Sequence, residues 1–246
     1  MRQPRMVVDE LEWLRDEYGA DAYTFFDDTF TLDKSRVHKI CDEIIRRKVG
    51  VPWDCETRVD QISPEVLAKM KKAGCQVVTL GIESGCQRIL NAINKRTSVE
   101  QNERGVRIVK EAGLSVVTSV IVGYPGETLE TIKQTLDFIR RVKPDDAYVC
   151  VATPYPGTEL YRLVEEKGWK MSPDWSQYDT VTPVFENPSI PEEKIVETRK
   201  KFYDDFYSAF YVLRQMSKGN FYNRILARIA LNHFIWRICA RYKKTY

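Results

Sequence analysis

Five short runs rich in β-branched and aromatic residues recur at Ala22 to Phe26, Pro52 to Arg58, Val77 to Ile82, Leu114 to Val122 and Ala147 to Ala152. Each successive pair is separated by enough chain for a crossover helix. In those intervals apolar residues fall at spacings of three and four over Arg36 to Arg47, Pro64 to Lys72, Val99 to Ala112 and Leu129 to Val142. Ser63 ahead of Pro64, Ser98 and Thr128 stand where helix N-caps belong. Strands that alternate with helices pair in parallel, because only a long crossover returns the chain to the same end of a sheet. The predicted fold class is therefore α/β with a parallel sheet.

Strands of a parallel sheet covered on both faces are almost continuously apolar. Two of these runs are not. Asp54, Glu56 and Arg58 share one face of "WDCETR", and Thr79, Gly81 and Glu83 share one face of "VTLGIES". Burying several charges against helices costs more than their pairing returns. One face of the sheet is thus expected to line a polar cavity, as in a barrel or half-barrel.

The chain has 246 residues, 43% of them hydrophobic, enough for one large domain with an appendage. Six cysteines at 41, 55, 75, 86, 150 and 239 include no Cys-x-x-Cys pair, which argues against a zinc site or a disulfide framework and for buried thiols in a reducing cytoplasm. The opening "MRQPRMVVDELEWL" has charges on both sides of its apolar residues and is neither a signal peptide nor a membrane span.

A helix from Val7 to Glu17 precedes the first strand, as if that helix's own strand were missing. We expect a barrel-like domain over 1–168, a proline-rich linker or cover over 169–191, and a helical tail over 192–246. The tail reads as helices from Glu192 to Met216 and from Asn220 to about Lys243, interrupted at Lys218-Gly219. Its apolar and basic sides change places near Asn232-His233, which predicts a break there or contacts to two surfaces. No acidic residue follows Asp205, whereas eight basic ones do, so a mildly acidic body carries a basic tail.

Each strand end carries unusual residues, and ligands of βα folds bind at the C-terminal ends of the strands. They are Asp27-Asp28-Thr29, Glu83-Ser84, "VGYPGET" over 122–128 and "TPYPGTELY" over 153–161. Singly, each has a plain structural explanation. Asp28 or Thr29 caps a turn, Glu127 and Thr128 suit any helix start, and Arg58 pairs with Glu56 or Asp60. Their succession on strand ends carries the signal.

In that order and at these separations, "FFDDTFTLD", "WDCETRVD", "GCQVVTLGIESG", "VIVGYPGET" and "PYPGTELY" resemble the radical S-adenosylmethionine (SAM) enzymes. The similarity is greatest to the subgroup that often carries a cobalamin-binding domain, which includes anaerobic porphyrin cyclases and radical methyltransferases. The resemblance covers residues 5–165 in detail. It implies a partial (β/α)6 barrel whose polar lumen holds SAM and substrate. By position, Asp27, Asp28 and Thr29 would hold the methionine ammonium, while Glu83 and Ser84 would meet ribose hydroxyls and carboxylate. Arg58 would pair with the SAM carboxylate or an acidic substrate group. Ile121 and Gly123 would back the adenine, and Ala152, Thr153 and Pro154 would border it.

The family's cluster motif, Cys-x-x-x-Cys-x-x-Cys on the loop after the first strand, does not occur here. The resemblance therefore implies a radical domain without its first strand and cluster loop, inactive alone. Its complete form would reductively cleave SAM with a 4Fe-4S cluster to methylate or oxidatively rearrange an unactivated carbon. It further implies cobalamin, a reductant protein, a lipophilic or tetrapyrrole-like small-molecule substrate and no nucleic acid. The basic tail is expected to pack as a helix on the barrel or on a missing domain, with peripheral contact to an anionic membrane as the alternative. The competing readings are a cluster-free module or partner subunit that binds SAM or substrate, and a different barrel enzyme using Asp27, Asp28 and Glu83 as metal ligands or as acid and base. The latter has little support from histidine, since His38 and His233 are the only two.

Overall fold

The structure, a computed structural model, describes residues 2–218 and 221–242, with Phe221 and residues 233–242 as backbone only. In chain order the elements are α1 (Pro4–Tyr18), β1 (Tyr23–Phe25), α2 (Lys34–Arg47), β2 (Trp53–Thr57), α3 (Pro64–Lys72), β3 (Cys75–Glu83), α4 (Gln87–Ala92) and α5 (Val99–Glu111). They continue with β4 (Ser115–Val122), α6 (Leu129–Val142), β5 (Asp146–Val151), α7 (Glu159–Glu166), α8 (Glu192–Phe206), α9 (Ala209–Ser217) and α10 (Phe221–Tyr242). The sheet runs β1-β2-β3-β4-β5, with β1, β2 and β3 paired in parallel. A sheet ordered as its chain is wound in one direction, which is the topology of a (β/α) barrel and not of a doubly wound sheet.

The anticipated caps form. Ser63 accepts a hydrogen bond from Val66 N, while Ser98 with Gln101 and Thr128 with Thr131 close reciprocal capping boxes at the starts of α5 and α6.

The chain divides into two compact units. The first comprises residues 1–82, 97–118 and 144–146. Its core joins Val8 of α1, Ile40 of α2 and Leu67 of α3 with Trp53, Cys55, Val78 and Leu80 of the strands. Trp53 Nε1 donates to Ala73 O at 2.8 Å, and its ring meets Phe25 and Phe30. β2 alternates as its sequence demands: Trp53, Cys55 and Thr57 are buried, whereas Asp54 and Glu56 occupy the more open face. There Thr24 Oγ1 donates to Asp54 Oδ2 at 2.9 Å.

The second unit comprises residues 83–96, 119–143 and 147–246. Residues beyond α7 serve β5 directly. Arg199 Nε of α8 donates to Val149 O at 2.7 Å, Tyr203 Oη accepts from Val149 N at 2.8 Å, and Val151 N donates to Thr180 O at 2.7 Å. Backbone groups that an edge strand would offer to another chain are thus satisfied by this chain's own side chains and loop. Between α7 and α8, Met171 bridges Phe185, and Trp169 stacks on Phe185 over a cluster containing Ala152 and Val164.

The structure differs from the sequence expectations for the second unit in three respects. Glu192 to Met216 is two helices, because Ser208 caps a new start by accepting from Tyr211 N at 3.3 Å. Of the two alternatives at Asn232-His233 the break does not occur: the backbone of α10 is helical throughout, as expected for a stretch with neither Gly nor Pro, and contacts to two surfaces fall on side chains outside the described ones. The short α4 was not foreseen, since six residues are too few for a periodic signal. In the expected interruption at Lys218-Gly219, Gly219 lies outside the described residues. Among the described residues no helix is long and apolar enough to cross a membrane.

Candidate functional site

In the second unit a cavity of about 480 Å³ opens where its strand ends and following loops meet. It is lined by Ser119 and Ile121, alternate residues of β4, by Cys150 and Val151 at the end of β5, and by Ala152 just beyond that strand. Val120, between the two β4 residues, and Val149, before Cys150, are buried. Ala152 N donates to Val122 O at 2.8 Å, so the β5 end stays tied to β4 as it leaves the sheet. Thr153, Tyr155 and Tyr124 complete the wall on that side, and Thr153 Oγ1 donates to Val151 O at 3.0 Å.

Opposite chemistry comes from Glu83, the last residue of β3, and Lys95. Lys95 Nζ donates to Glu83 Oε1 at 2.7 Å, and both side chains are largely shielded from solvent. Glu83, Asn94 and Arg96 have φ of 60°, 51° and 60°. Left-handed backbone at a residue other than glycine costs about 1 kcal/mol or more, with Asn the most tolerant. The loop therefore spends conformational energy around this ion pair.

Ser84 is fully buried and its hydroxyl bonds to Thr135 Oγ1 at 2.9 Å. It also accepts from Cys86 N at 3.1 Å. Because Thr135 already donates to Thr131 O, Ser84 is the donor of the pair. A Cβ on the adjacent Gly85 would lie 2.5 Å from Phe138 Cβ, so Ser84 and Gly85 dock the end of β3 onto α6.

The turn after β4 is organised around Glu127. Its side chain is fully buried, and Oε2 accepts from Gly123 N at 2.7 Å and from Tyr124 N at 3.1 Å. No partner reaches Oε1 among the described residues. Burial raises the carboxyl pKa from 4.5 to about 7, against the opposing pull of the two backbone donors and Arg88. Gly123 has φ +82°, Asn187 Nδ2 donates to its carbonyl at 2.7 Å, and a Cβ there would stand 2.9 Å from Ile195 Cδ1.

Of the residues singled out from sequence, the cavity brings together Glu83, Ile121, Ala152 and Thr153. Gly123, Ser84 and the buried Pro154 do not line it. Asp27, Asp28 and Thr29 belong to the first unit. Both aspartates are exposed, Thr29 Oγ1 donates to Asp28 O at 2.8 Å, and Asp27 borders a separate groove along β1. Arg58 forms a bidentate pair with Asp60 at 2.9 and 3.0 Å, one of the two partners its sequence offered.

Ser119, Cys150 and Lys95 were missed. The two strand residues were within reach, standing two positions before Ile121 and Ala152 and hence on the same face. Lys95 left no such trace, because its inward turn depends on loop backbone.

Among the described residues the thiols do not fit an iron-sulfur cluster. Cys41, Cys55, Cys75 and Cys86 are buried, and burial pushes the Cys41 thiol up to about 12, away from the thiolate a metal requires. No three potential ligands gather among the described residues. An adenosyl group does fit: Ile121 and Ala152 offer an apolar wall, Glu83 a carboxylate for hydroxyl donors, and the volume lies in the usual range for ligand sites.

Residues 1–139 match the model of the radical SAM superfamily. An uncharacterized methyltransferase of Pyrococcus horikoshii is 35% identical over 201 residues, 82% of this chain and 44% of that protein. The anaerobic magnesium-protoporphyrin IX monomethyl ester cyclase of Rubrivivax gelatinosus is 31% identical over 209 residues, 84% of this chain and 37% of that protein. The chain therefore spans less than half the length of these relatives.

Among solved structures, the radical SAM methyltransferase TsrM of Kitasatospora setae superposes with TM-score 0.63 at 19% identity, over 80% of this chain and 40% of that one. Coproporphyrinogen III oxidase of Escherichia coli gives 0.60 at 16% identity, over 85% and 48%. At those identities the likeness concerns the fold, a radical SAM partial barrel. Family model, fold and strand-end cavity agree, and the chain belongs to the radical SAM superfamily.

Proposed function

We propose that this chain is the SAM-binding portion of a radical SAM enzyme, and that the adenosyl group occupies the cavity at the ends of β4 and β5. The observation that carries the reading is the convergence of Glu83, Ile121, Ala152 and Thr153 on one cavity of about 480 Å³. Ile121 and Ala152 form one apolar wall against which the base packs, and Glu83 accepts hydrogen bonds from the ribose hydroxyls. Glu127 holds the N–H groups of Gly123 and Tyr124, fixing the turn that positions Tyr124 at the cavity wall. SAM held there would supply the 5′-deoxyadenosyl group of the family's hydrogen-abstraction chemistry, which would also need a 4Fe-4S cluster. The cysteines among the described residues do not furnish that cluster's ligands.

Calorimetric titration of the purified chain with S-adenosylhomocysteine tests the site. Binding that Ala152→Phe abolishes and Glu83→Gln weakens is expected; binding indifferent to both places the ligand elsewhere.

The resemblance assigns the methionine ammonium to Asp27, Asp28 and Thr29 and an acidic substrate group to Arg58. Unchanged SAM affinity in Asp28→Ala would return that aspartate to the turn. For the whole protein we propose methylation or oxidative rearrangement at an unactivated carbon of a lipophilic or tetrapyrrole-like small molecule, with cobalamin and a reductant protein as participants. The names of the cyclase and methyltransferase relatives support this. Peripheral membrane contact is supported by exposed Phe210, Leu213 and Met216 on α9 and Ile225 and Ile229 on α10, in a segment without acidic residues. Sedimentation with anionic but not neutral vesicles is the expected result.

A further inference from the structure

Resting on the adenosyl reading of the cavity, we propose that Tyr155, Tyr178 and Trp175 form a substrate shelf at its mouth that selects a flat conjugated ring over a saturated skeleton. Tyr155 lines the cavity. Its ring centroid lies 6.3 Å from that of Tyr178, which in turn lies 4.5 Å from that of Trp175. The three rings form a row that starts at the cavity and reaches solvent, where Trp175 is 59% exposed. A further planar ring extends such a row through offset or edge contacts, which a saturated chain cannot make. Of the lipophilic and tetrapyrrole-like substrates proposed for the whole protein, the shelf fits the flat, conjugated class.

The loop that carries the row is ordered in advance. Tyr155 Oη donates to Tyr178 O at 2.7 Å and Tyr178 Oη to Ser172 O at 3.0 Å, so backbone engages both phenols and fixes their rings. Asp174 caps the 3₁₀ turn Trp175–Gln177 by accepting from Ser176 N at 2.9 Å. Asp179 accepts from Val181 N at 2.8 Å and from Thr182 N at 2.7 Å. Thr180, next to it, has φ +62°, an outlier for a β-branched residue. It lines the cavity, and its carbonyl accepts from Val151 N at 2.7 Å, so a strained residue pins the loop to the end of β5. A loop tied down this fully, with its tryptophan left in water, has little conformational freedom to lose when a ring settles on it. Charge sets which part of the ligand faces the shelf. Over 171–185 the chain has two aspartates and no lysine or arginine. Hydrogen bonds from Ser176 to Asp174, and from Thr182 and Val181 to Asp179, hold both carboxyls below the usual range, so they stay ionised. Acidic groups of a ligand would meet like charge here, whereas an uncharged ring face does not.

Labelling with 5-fluorotryptophan gives a fluorine resonance for each of the five tryptophans, and Trp175→Phe identifies that of Trp175. Two probes share one skeleton and one hydroxyl: 2-naphthol, flat and conjugated, and decahydro-2-naphthol, saturated. 2-Naphthol should shift the Trp175 resonance saturably and bind about three- to tenfold more tightly than its saturated counterpart, the margin of an aromatic contact. Trp175→Leu, a change at an exposed position, should lower that preference to about twofold or less when both affinities are read by saturation transfer from protein to probe. Equal affinities in the wild type, or a preference undiminished in Trp175→Leu, overturn the proposal. Saturating 5′-methylthioadenosine should leave 2-naphthol binding in place, because the shelf lies outside the adenosyl position. Mutual exclusion of the two would put the naphthol in the adenosyl position and also overturn the shelf. If calorimetry detects no binding of 5′-methylthioadenosine while the Trp175 resonance still responds to 2-naphthol, the adenosyl reading fails and the aromatic shelf does not, so the two failures are told apart.

Discussion

Replacing Glu127 with Gln should make the stability difference between variant and wild type depend on pH in a defined window. The wild-type carboxyl is fully buried, with its pKa raised from 4.5 to about 7 chiefly by burial. The native state therefore binds a proton that the unfolded chain releases between those values. Its contribution to stability is complete below pH 4.5 and is lost as pH rises through about 7. Between pH 5 and pH 8 the loss amounts to about 2 to 3 kcal/mol, at roughly 1.4 kcal/mol for each tenfold difference in proton affinity between the folded and unfolded states. The amide introduced by Glu127→Gln has the same shape as the carboxyl and never ionises, so the variant loses nothing over this range.

Urea unfolding of both proteins at pH 5 and pH 8 measures this directly, because contributions from every other group cancel in the difference. The variant should gain about 2 to 3 kcal/mol on the wild type between the two pH values, roughly 5 to 10 °C in Tm. Glu127→Ala should behave differently. It leaves the N–H groups of Gly123 and Tyr124 without their acceptor, at about 1 to 3 kcal/mol each, at every pH. A difference between wild type and Glu127→Gln that does not change with pH would refute the placement of Glu127 as a buried, half-partnered carboxyl.

Other perturbations follow from the same geometry. Gly123→Ala meets both a φ of +82° and Ile195 Cδ1 at 2.9 Å, so it should cost about 1 to 3 kcal/mol. Adding Ile195→Ala should relieve only the steric part, visible as non-additivity in a double-mutant cycle of thermal unfolding. Gly85→Ala would drive a methyl to 2.5 Å from Phe138 Cβ and 2.9 Å from Thr135 Cα, and should cost about 3 kcal/mol or more, or abolish soluble expression. Arg199→Met with Tyr203→Phe removes both partners of Val149 and should lower stability by about 2 kcal/mol while raising aggregation in light scattering.

What could be read from the sequence was whatever depends on near neighbours. The strands and the caps at Ser63, Ser98 and Thr128 are local signals, and the structure places them within a few residues of their expected positions. The open face of β2 is a period-two signal in the same sense, and the same period, carried two residues back from Ile121 and Ala152, leads to Ser119 and Cys150. The features that escaped depend on long-range burial or on loop backbone. Glu127 reads as an ordinary first-turn acid of α6, a position where exposed carboxylates are common. Its actual task, binding the N–H groups of the turn that precedes it, exists only because the surrounding packing closes over the side chain.

Lys95 is the sharper case. Nothing in "NAINKRTS" distinguishes it from Arg96, its neighbour and chemical near-equivalent. The two are separated by which side chain the left-handed Asn94 and Arg96 turn toward Glu83, and Arg96 instead donates to Asn94 Oδ1 at 3.3 Å. Backbone conformation, which a string of residue types carries weakly outside glycine, selects the cation that enters the cavity. Exchanging the two residues as Lys95→Arg with Arg96→Lys keeps composition and charge. It should therefore alter ligand affinity only through the geometry at Glu83, whereas the same exchange would be silent if net charge in the loop were all that mattered.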